Sequence, residues 1–533
     1  MTMSQGLTRR AALVTAAAAA LIPAPVAWAK KADGFAEKLK KIDAYAERFR
    51  IARAIPGLSV TIVAPDQPVF AMGYGVRVMG QAAPVDIHTR FGIASNSKSF
   101  TAATLAILVD EGKIEWDKPV RTYLPEFKMY DPAVTEMMTV RDLLTHRSGL
   151  PLGAGDLMFF PPSTHTAQDV LAALAHLKPV RGFRAGYDYD NVLYIVAGLL
   201  IERIAGTSWP DFVARRIFEP LGMNDTVGSR FRLTDSNVAG RHLRLGPPVR
   251  GMGDLTTIAP DEPEMIYAAG GINSSAIDIA QWLKVQMAGG VTPSGARLWS
   301  KAQADEMWKP QTITSSTPGP TPERPTRAVL SAYALGWGVT DFRGRRLIAH
   351  SGGLTGQVTQ TAMLPDSGIG VAVFTNVEEG SSNALRNAIL DILIDAPTFD
   401  WLGFYASNEA KSQKAALDAL GASLTSPPEG APSLPLDAYT GLYRDPWYGD
   451  IRITRADSGL TIDFLPTPVF KSPLETWGPD TFRTHFAKDA GEDAVLTFKV
   501  ESGRVQRLTM KALSPLADFS YDFQHLDFVP VGN

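Results

Sequence analysis

Ten residues, Phe91 to Phe100 (FGIASNSKSF), restrict the fold more than any other stretch of the chain. Beyond Ser95 the apolar positions Phe100, Ala103, Ile107 and Leu108 recur at helical spacing, and Gly112 supplies a C-terminal stop. Upstream, Gly57 to Val63 (GLSVTIV) reads as a strand, and Val69 to Val78, with Gly73 and Gly75 among apolar residues, reads as a second. The chain therefore passes from strands through a polar turn into an apolar helix. Residues three apart share a helix face, so Lys98 projects one turn above Ser95. A lysine so placed takes a proton from the serine hydroxyl or keeps a neighbouring base deprotonated, and a helix N-terminus favours the negative charge that arrives there. Ser-x-x-Lys is short and common, so by itself it is only a hypothesis for a nucleophile.

The N-terminus bounds the compartment. Thr8-Arg9-Arg10-Ala11-Ala12-Leu13 precedes an apolar stretch from Val14 to Val26, then Ala27-Trp28-Ala29. Charged region, apolar core and small-residue cleavage site predict a signal peptide over residues 1–29 and a periplasmic or secreted protein. The paired arginines fit twin-arginine export, with Ala12 where a bulkier apolar residue is usual. A retained membrane anchor is the alternative, but the run is shorter than the ~20 residues that span a bilayer and contains Pro23 and Pro25. No later stretch is long and apolar enough to span. With 533 residues, 45% hydrophobic and 20% charged, the chain has material for a large core and two or three domains. Its lack of cysteine excludes disulfides, a thiol nucleophile and thiolate metal sites. The eight histidines include no pair at helical ligand spacing, so neither a metal nor any other cofactor is expected. A formal net charge of -3, made more negative when the leader takes two arginines and no acids with it, gives no footprint for nucleic acid.

Further along, a charged helical segment covers Lys30 to Arg53, and Leu143 to Leu150 (LLTHRSGL) ends a short helix in a Ser148-Gly149 turn. His146 in that turn is either a base or, as its surroundings favour, a loop-fastening hydrogen bonder. The apolar loop Met158-Phe159-Phe160-Pro161-Pro162 either lines a cleft or packs on the core. Tyr187-Asp188-Tyr189-Asp190-Asn191 precedes a helix marked by Leu193, Val196, Leu200 and Ile204, so Tyr189 and Asn191 sit at a helix entrance. A cap formed by Asp190 or Asn191 accounts for the same stretch without chemistry. Arg241 to Tyr267, rich in Pro, Gly and acids, crosses the surface, and a helix through Ile279, Trp282 and Leu283 opens near Ser275. Runs at Ala334 to Thr340, Arg345 to His350, Val358 to Leu364 and Gly368 to Phe374 predict a meander. His350-Ser351-Gly352-Gly353 then falls at a strand end, where backbone N–H groups can meet a bound oxygen.

Ser95-Asn96-Ser97-Lys98, Tyr189-Asp190-Asn191 and His350-Ser351-Gly352 follow one another in an order and spacing that resemble the serine β-lactamase and penicillin-recognising superfamily. The nearest resemblance is to the class C-like serine hydrolases, a group of β-lactamases, D-aminopeptidases, D-Ala-D-Ala carboxypeptidases, other peptidases and carboxylesterases. LLTHRSGL, PLGM, AAGGINSS and YALGWG add to it, and together the matches cover roughly residues 40 to 395. The resemblance implies an α/β (α+β) fold, a β-lactamase-like antiparallel sheet flanked by helices plus an all-helical subdomain, over residues 30–400. It also implies acyl transfer, with Ser95 as nucleophile, Lys98 and Tyr189 as shared general base, and Asn191, His350, Ser351 and Gly352 as substrate-binding residues. By the same carry-over, the N–H groups of Ser95 and Gly353 form the oxyanion hole. Two departures bear on substrate. His350 stands where Lys-Thr-Gly is usual and is a less permanent cation for a substrate carboxylate, which turns the expectation away from β-lactams. Asp190 stands where serine is frequent and brings a negative charge toward the cleft.

A helical segment, Glu409 to Leu420, and a Ser, Pro and Gly-rich stretch make residues 401–435 a linker. Residues 436–533 hold seven short strand-like runs, Tyr439 to Tyr443, Ile451 to Arg455, Leu460 to Phe464, Thr481 to Phe486, Val495 to Val500, Val505 to Ala512 and Tyr521 to Val529. They predict a small antiparallel barrel resembling the lipocalin-like module of some class C-like hydrolases. The functional expectation is an exported serine hydrolase of amides, peptides or esters, acting on a small-molecule or peptide substrate. A true β-lactamase and a non-catalytic sensor of peptidoglycan or peptides are the alternatives. A sensor is expected to lack Ser95, Lys98 or Tyr189, and all three are present.

Overall fold

β1 (Gly57–Val63) is buried at every position, so the sheet it belongs to is covered on both faces. The computed structural model describes residues 24–246, 250–425, 430–457, 459–487 and 490–532, so the expected leader lies outside the described residues as far as residue 23. β1 belongs to an antiparallel sheet with β2 (Phe70–Gly75), β3 (Thr312–Ser316), β4 (Leu330–Tyr333), β5 (Gly338–Phe342), β6 (Arg345–Leu354), β7 (Gln357–Leu364) and β8 (Ile369–Thr375). The order across the sheet is β2-β1-β8-β7-β6-β5-β4-β3. Its long helices are α1 (Ala24–Ala52), α2 (Ser97–Asp110), α3 (Val192–Ala205), α4 (Ala276–Met287), α5 (Ser382–Leu393) and α6 (Trp401–Thr425).

The period of two along β1 sorts its side chains. Leu58, Val60 and Ile62 pack with Val371 and Val373 of β8, Ile42 and Phe49 of α1, Leu385 and Ile389 of α5, and Trp401 of α6. On the other face Thr61 Oγ1 donates to the Ala276 carbonyl at 2.7 Å, fixing the head of α4. Ser275 caps α4 by accepting from the Asp278 N–H, as its place before the apolar run predicts. α2 is buried from Ser97 to Leu108 on every side, which makes it the central helix of this layer. Phe100 stacks on Trp282 of α4 at 3.7 Å between centroids, and α3 with short helical turns fills the remainder.

Two strand expectations are corrected. Ala334 to Thr340 is not one strand, because Gly336, at φ 72°, turns the chain between β4 and β5. A Cβ there would come within 2.6 Å of the Lys98 carbonyl, so the glycine permits a close approach to α2. The strand expected over Arg345 to His350 runs further, so that His350-Ser351-Gly352-Gly353 forms its C-terminal end instead of following it. β6 continues through these residues to Leu354, with Ser351, Gly352 and Gly353 in register opposite Gln360, Thr359 and Val358 of β7.

The C-terminal strands close into an eight-stranded antiparallel barrel, ordered as in sequence. They are β9 (Gly441–Asp445), β10 (Gly449–Ala456), β11 (Gly459–Phe464), β12 (Lys471–Gly478), β13 (Thr481–Thr484), β14 (Ala494–Glu501), β15 (Arg504–Ala512) and β16 (Asp527–Pro530). β12 escapes the sequence pattern because Pro473 lies inside it and Ser472, a polar residue, is buried. The last run is a helical turn at Phe523–His525 followed by β16. Tyr448, Phe464, Phe470, Phe482 and Phe528 are buried in the barrel, and its core is continuous with the one around α2 and α3.

Candidate active site

The polar turn ahead of α2 is a single 3-10 turn, Ala94–Asn96, so Ser95 sits just before the α-helix, which begins at Ser97. Ala94 has φ 50°, a left-handed conformation that non-glycine residues adopt only when their surroundings hold them there. Asn96 supplies the hold. Its Nδ2 donates to the Ile93 carbonyl (3.1 Å) and to Thr359 Oγ1 (2.8 Å), while Oδ1 accepts from Thr361 Oγ1 (2.6 Å). Both threonines belong to β7, so the turn is tied to the middle of the sheet.

Lys98 is fully buried. Its Nζ lies 3.1 Å from Ser95 Oγ, 2.7 Å from Asn191 Oδ1 and 2.9 Å from the Ala269 carbonyl. The Tyr189 and Tyr194 rings face it at 4.9 and 5.1 Å. Among the described residues no carboxylate touches the amine, and burial pushes Lys98 down to about 7, against the pull of Asp156 and Asp190 at longer range. When neutral, the amine gives two N–H bonds to Asn191 and Ala269 and turns its lone pair to the Ser95 hydroxyl. That arrangement can accept a proton from serine.

Tyr189 and Asn191 stand at the entrance of α3. Burial holds the Tyr189 phenol well above its ordinary value, and a hydrogen bond with Ser95 partly offsets this. Asn191 occupies the N-cap of α3 without spending its side chain there, because its amide is taken by Lys98 and by Asp156. Asp190 does not line the cavity. It is fully buried behind it, accepting from Ser148 Oγ at 3.2 Å. His146 is also buried away from the cavity, its Nδ1 accepting from the Asp190 N–H at 3.1 Å, which is the loop-fastening arrangement.

These groups open on a cavity of about 550 Å³. Ser95, Tyr189 and Asn191 line one wall, and His350, Ser351 and Gly353 of β6 line the facing one. Gly352 points away, because its Cα faces the Ser95 turn and a Cβ there would overlap the Ile93 carbonyl oxygen. His350 Nδ1–H donates to the Ser351 carbonyl at 2.6 Å, leaving Nε2 to accept from Tyr333 Oη at 2.8 Å. Burial, reinforced by Lys98, pushes His350 down to about 3, so it is neutral at pH 7. Phe159 and Phe160 of the apolar loop line the cavity, together with Asp518, Phe519 and Ser520 from the connection between β15 and β16 of the barrel. Phe519 meets the Tyr189 ring edge-on at 6.1 Å.

The family described as Beta-lactamase matches residues 40–396, which contain every group around Ser95 except those from the barrel. The chain belongs to the Beta-lactamase family. A domain of unknown function, DUF3471, matches residues 425–530. An unguisins hydrolase of Aspergillus campestris is 31% identical over 421 residues, spanning 75% of this chain and 74% of its own. Penicillin-binding protein 4 of Amycolatopsis lactamdurans is 27% identical over 342 residues, 62% of this chain and 84% of its own. Among solved structures, the octameric penicillin-binding protein homologue from Pyrococcus abyssi aligns with a TM-score of 0.58 at 22% identity, covering 92% of this chain and 99% of that one.

Within this β-lactamase-family site, sequence reasoning missed Asp156, Ala269, Tyr333 and Ser520. Asp156 left a trace, since it is a lone acid in the apolar stretch from Leu150 to Phe160. A carboxylate so placed is either exposed at a turn or buried for a reason, and here it is fully buried. Ala269 acts through its carbonyl, which carries no side-chain signature.

Proposed function

We propose that the chain is an exported serine hydrolase that cleaves an amide, peptide or ester bond through an acyl-enzyme on Ser95. Ser95 Oγ attacks the carbonyl carbon while its proton passes to neutral Lys98, directly or through the Tyr189 hydroxyl. The oxyanion of the tetrahedral intermediate is received by the N–H groups of Ser95 and Gly353, donors of a kind that carry ~10²–10³ in rate each. As the carbonyl re-forms, the carbon–nitrogen or carbon–oxygen bond breaks and the same pair returns the proton to the leaving group. Water, deprotonated by that pair, then releases the acid and restores Ser95.

The observation that carries this reading is the placement of Lys98 Nζ 3.1 Å from Ser95 Oγ, with its other contacts being acceptors that anchor the amine. Family membership and the hydrolase name of the Aspergillus relative support it. The neutral His350, its Nε2 already engaged by Tyr333, favours uncharged ester or amide substrates over β-lactams, whose carboxylate calls for a cation. A fluorophosphonate should leave one adduct, on the peptide containing Ser95, and Ser95→Ala should lose roughly a thousandfold of activity. Labelling that survives in Ser95→Ala ends the proposal. A panel of p-nitrophenyl esters, D- and L-aminoacyl amides and a chromogenic cephalosporin sorts the substrates. A cephalosporin turned over as fast as the best ester or amide would make the protein a β-lactamase.

A further inference from the structure

We infer that Ser520 of the barrel and Asp156 are positioning residues for Lys98, joined to it by three consecutive hydrogen bonds. Ser520 Oγ donates to Asp156 Oδ2 at 2.8 Å, the same oxygen accepts from Asn191 Nδ2 at 2.9 Å, and Asn191 Oδ1 accepts from Lys98 Nζ at 2.7 Å. The inference rests on the reading of Lys98 as a general base.

An asparagine amide has a donor end and an acceptor end, and only the acceptor end holds an amine that offers its N–H groups. Asp156 Oδ2 already accepts from Ser520 Oγ and from the Asn191 NH₂, so the oxygen facing the amide is an acceptor and holds it by its donor end. It thereby forces the carbonyl oxygen of Asn191 toward Lys98. Without Asp156 the amide is free to turn and set NH₂ against the amine.

The barrel in turn fixes Asp156. Asp522 accepts from the Gly155 and Leu157 N–H groups, at 2.8 and 3.0 Å, so one barrel loop grips the backbone on both sides of Asp156 while Ser520 grips its carboxylate. Gly153, at φ 70°, lets that loop lie close, since a Cβ would come within 2.6 Å of the Phe519 carbonyl oxygen. Burying an acid costs stability, and a neutral side chain would fasten this turn at less cost. The acid is accounted for by what lies at the far end of the chain of bonds.

The charged and titratable groups facing Lys98 are the Asp156 and Asp190 carboxylates, the His146 and His350 imidazoles and the Tyr189 and Tyr194 phenols. Asp156 itself is faced by Asp522 and Asp518, and with its burial they raise its proton affinity, whereas Ser520 and Asn191 lower it. Removing the Ser520 hydroxyl therefore makes Asp156 less negative and Lys98 easier to deprotonate. Asp156→Asn acts in the same direction and more strongly.

The test is the pH profile of kcat/KM for a p-nitrophenyl ester in wild type, Ser520→Ala, Asp156→Asn and the double variant, with fluorophosphonate labelling and melting temperature alongside. Loss of a buried hydrogen bond to a charged group predicts about a tenfold fall in kcat, with KM little changed. The ascending limb should move to lower pH in both single variants. The double variant should fall no further than Asp156→Asn alone, because both act through one chain of contacts. A profile that keeps the wild-type midpoint in both variants, or additive losses, would overturn the inference. A wild type that fluorophosphonate does not label at Ser95 would instead sink the serine-hydrolase reading.

Discussion

Lys98 behaves differently behind this cavity than it would in water. Burial favours its neutral form, so around neutral pH a large fraction is unprotonated, where a solvated lysine would be almost wholly charged. If the neutral amine is the base, kcat/KM must rise as pH increases through about 7, because the active form is the deprotonated one. Stopped-flow acylation between pH 5.5 and 8.5 measures this, and a flat profile would remove Lys98 from the base role. At this scale the sequence was legible where side chains do the work. Ser95, Lys98, Tyr189 and Asn191 each sit at a helix start in a short pattern, and the structure sets Ser95, Tyr189 and Asn191 in one cavity wall with Lys98 bonded behind them. It was not legible where backbone or distant residues contribute. The Ala269 carbonyl has no residue-type signal, and Ser520 looks like any loop serine until the fold brings it to Asp156.

Among the elements, β6 decides how close the two walls of the cavity come. Its glycines look alike in sequence but have different surroundings. A Cβ at Gly352 would overlap the Ile93 carbonyl oxygen and lie 2.9 Å from Ala94 Cβ, whereas nothing lies within 4 Å of one at Gly353. Gly352→Ala should therefore push β6 off the Ser95 turn, costing about 1–3 kcal/mol and lowering both melting temperature and turnover. Gly353→Ala should keep the wild-type melting temperature. Thermal melts of the two variants decide it, and equal melting temperatures would show that the contact at Gly352 is slack. β6 also shows where strand reading failed. His350-Ser351-Gly352-Gly353 has the composition of a turn, and only its pairing with Gln360, Thr359 and Val358 makes it strand. The mirror error is Ala334 to Thr340, apolar enough for a strand yet bent at Gly336 because α2 lies against it.

For the whole molecule, the apolar interior of the barrel and the core around α2 and α3 form one cluster. Two bodies that share a core unfold together, since separating them exposes apolar surface on both. Calorimetry should accordingly record one cooperative transition. Asp522→Ala, which leaves the Gly155 and Leu157 N–H groups without their acceptor, should lower that transition as a whole by about 1–3 kcal/mol. A barrel transition separate from that of the β-lactamase-family region would disprove the coupling. The barrel as a fold was readable from its run of short strands. Its reach into the cavity was not, because the loop that enters it is ordinary in composition.

The bond between Ser520 and Asp156 joins residues 364 positions apart. At a translation speed of about 5–20 residues per second, roughly 20–70 s pass between the making of one and the making of the other. For most of that interval the growing polypeptide already carries Ser95, Lys98, Tyr189 and Asn191 but lacks the barrel loop whose Ser520 and Asp522 hold the Asp156 turn. On the proposed reading, a chain broken off before the barrel lacks the Ser520 and Asp522 contacts that fix Asp156, and so works at the reduced rate expected of their variants until the barrel is made.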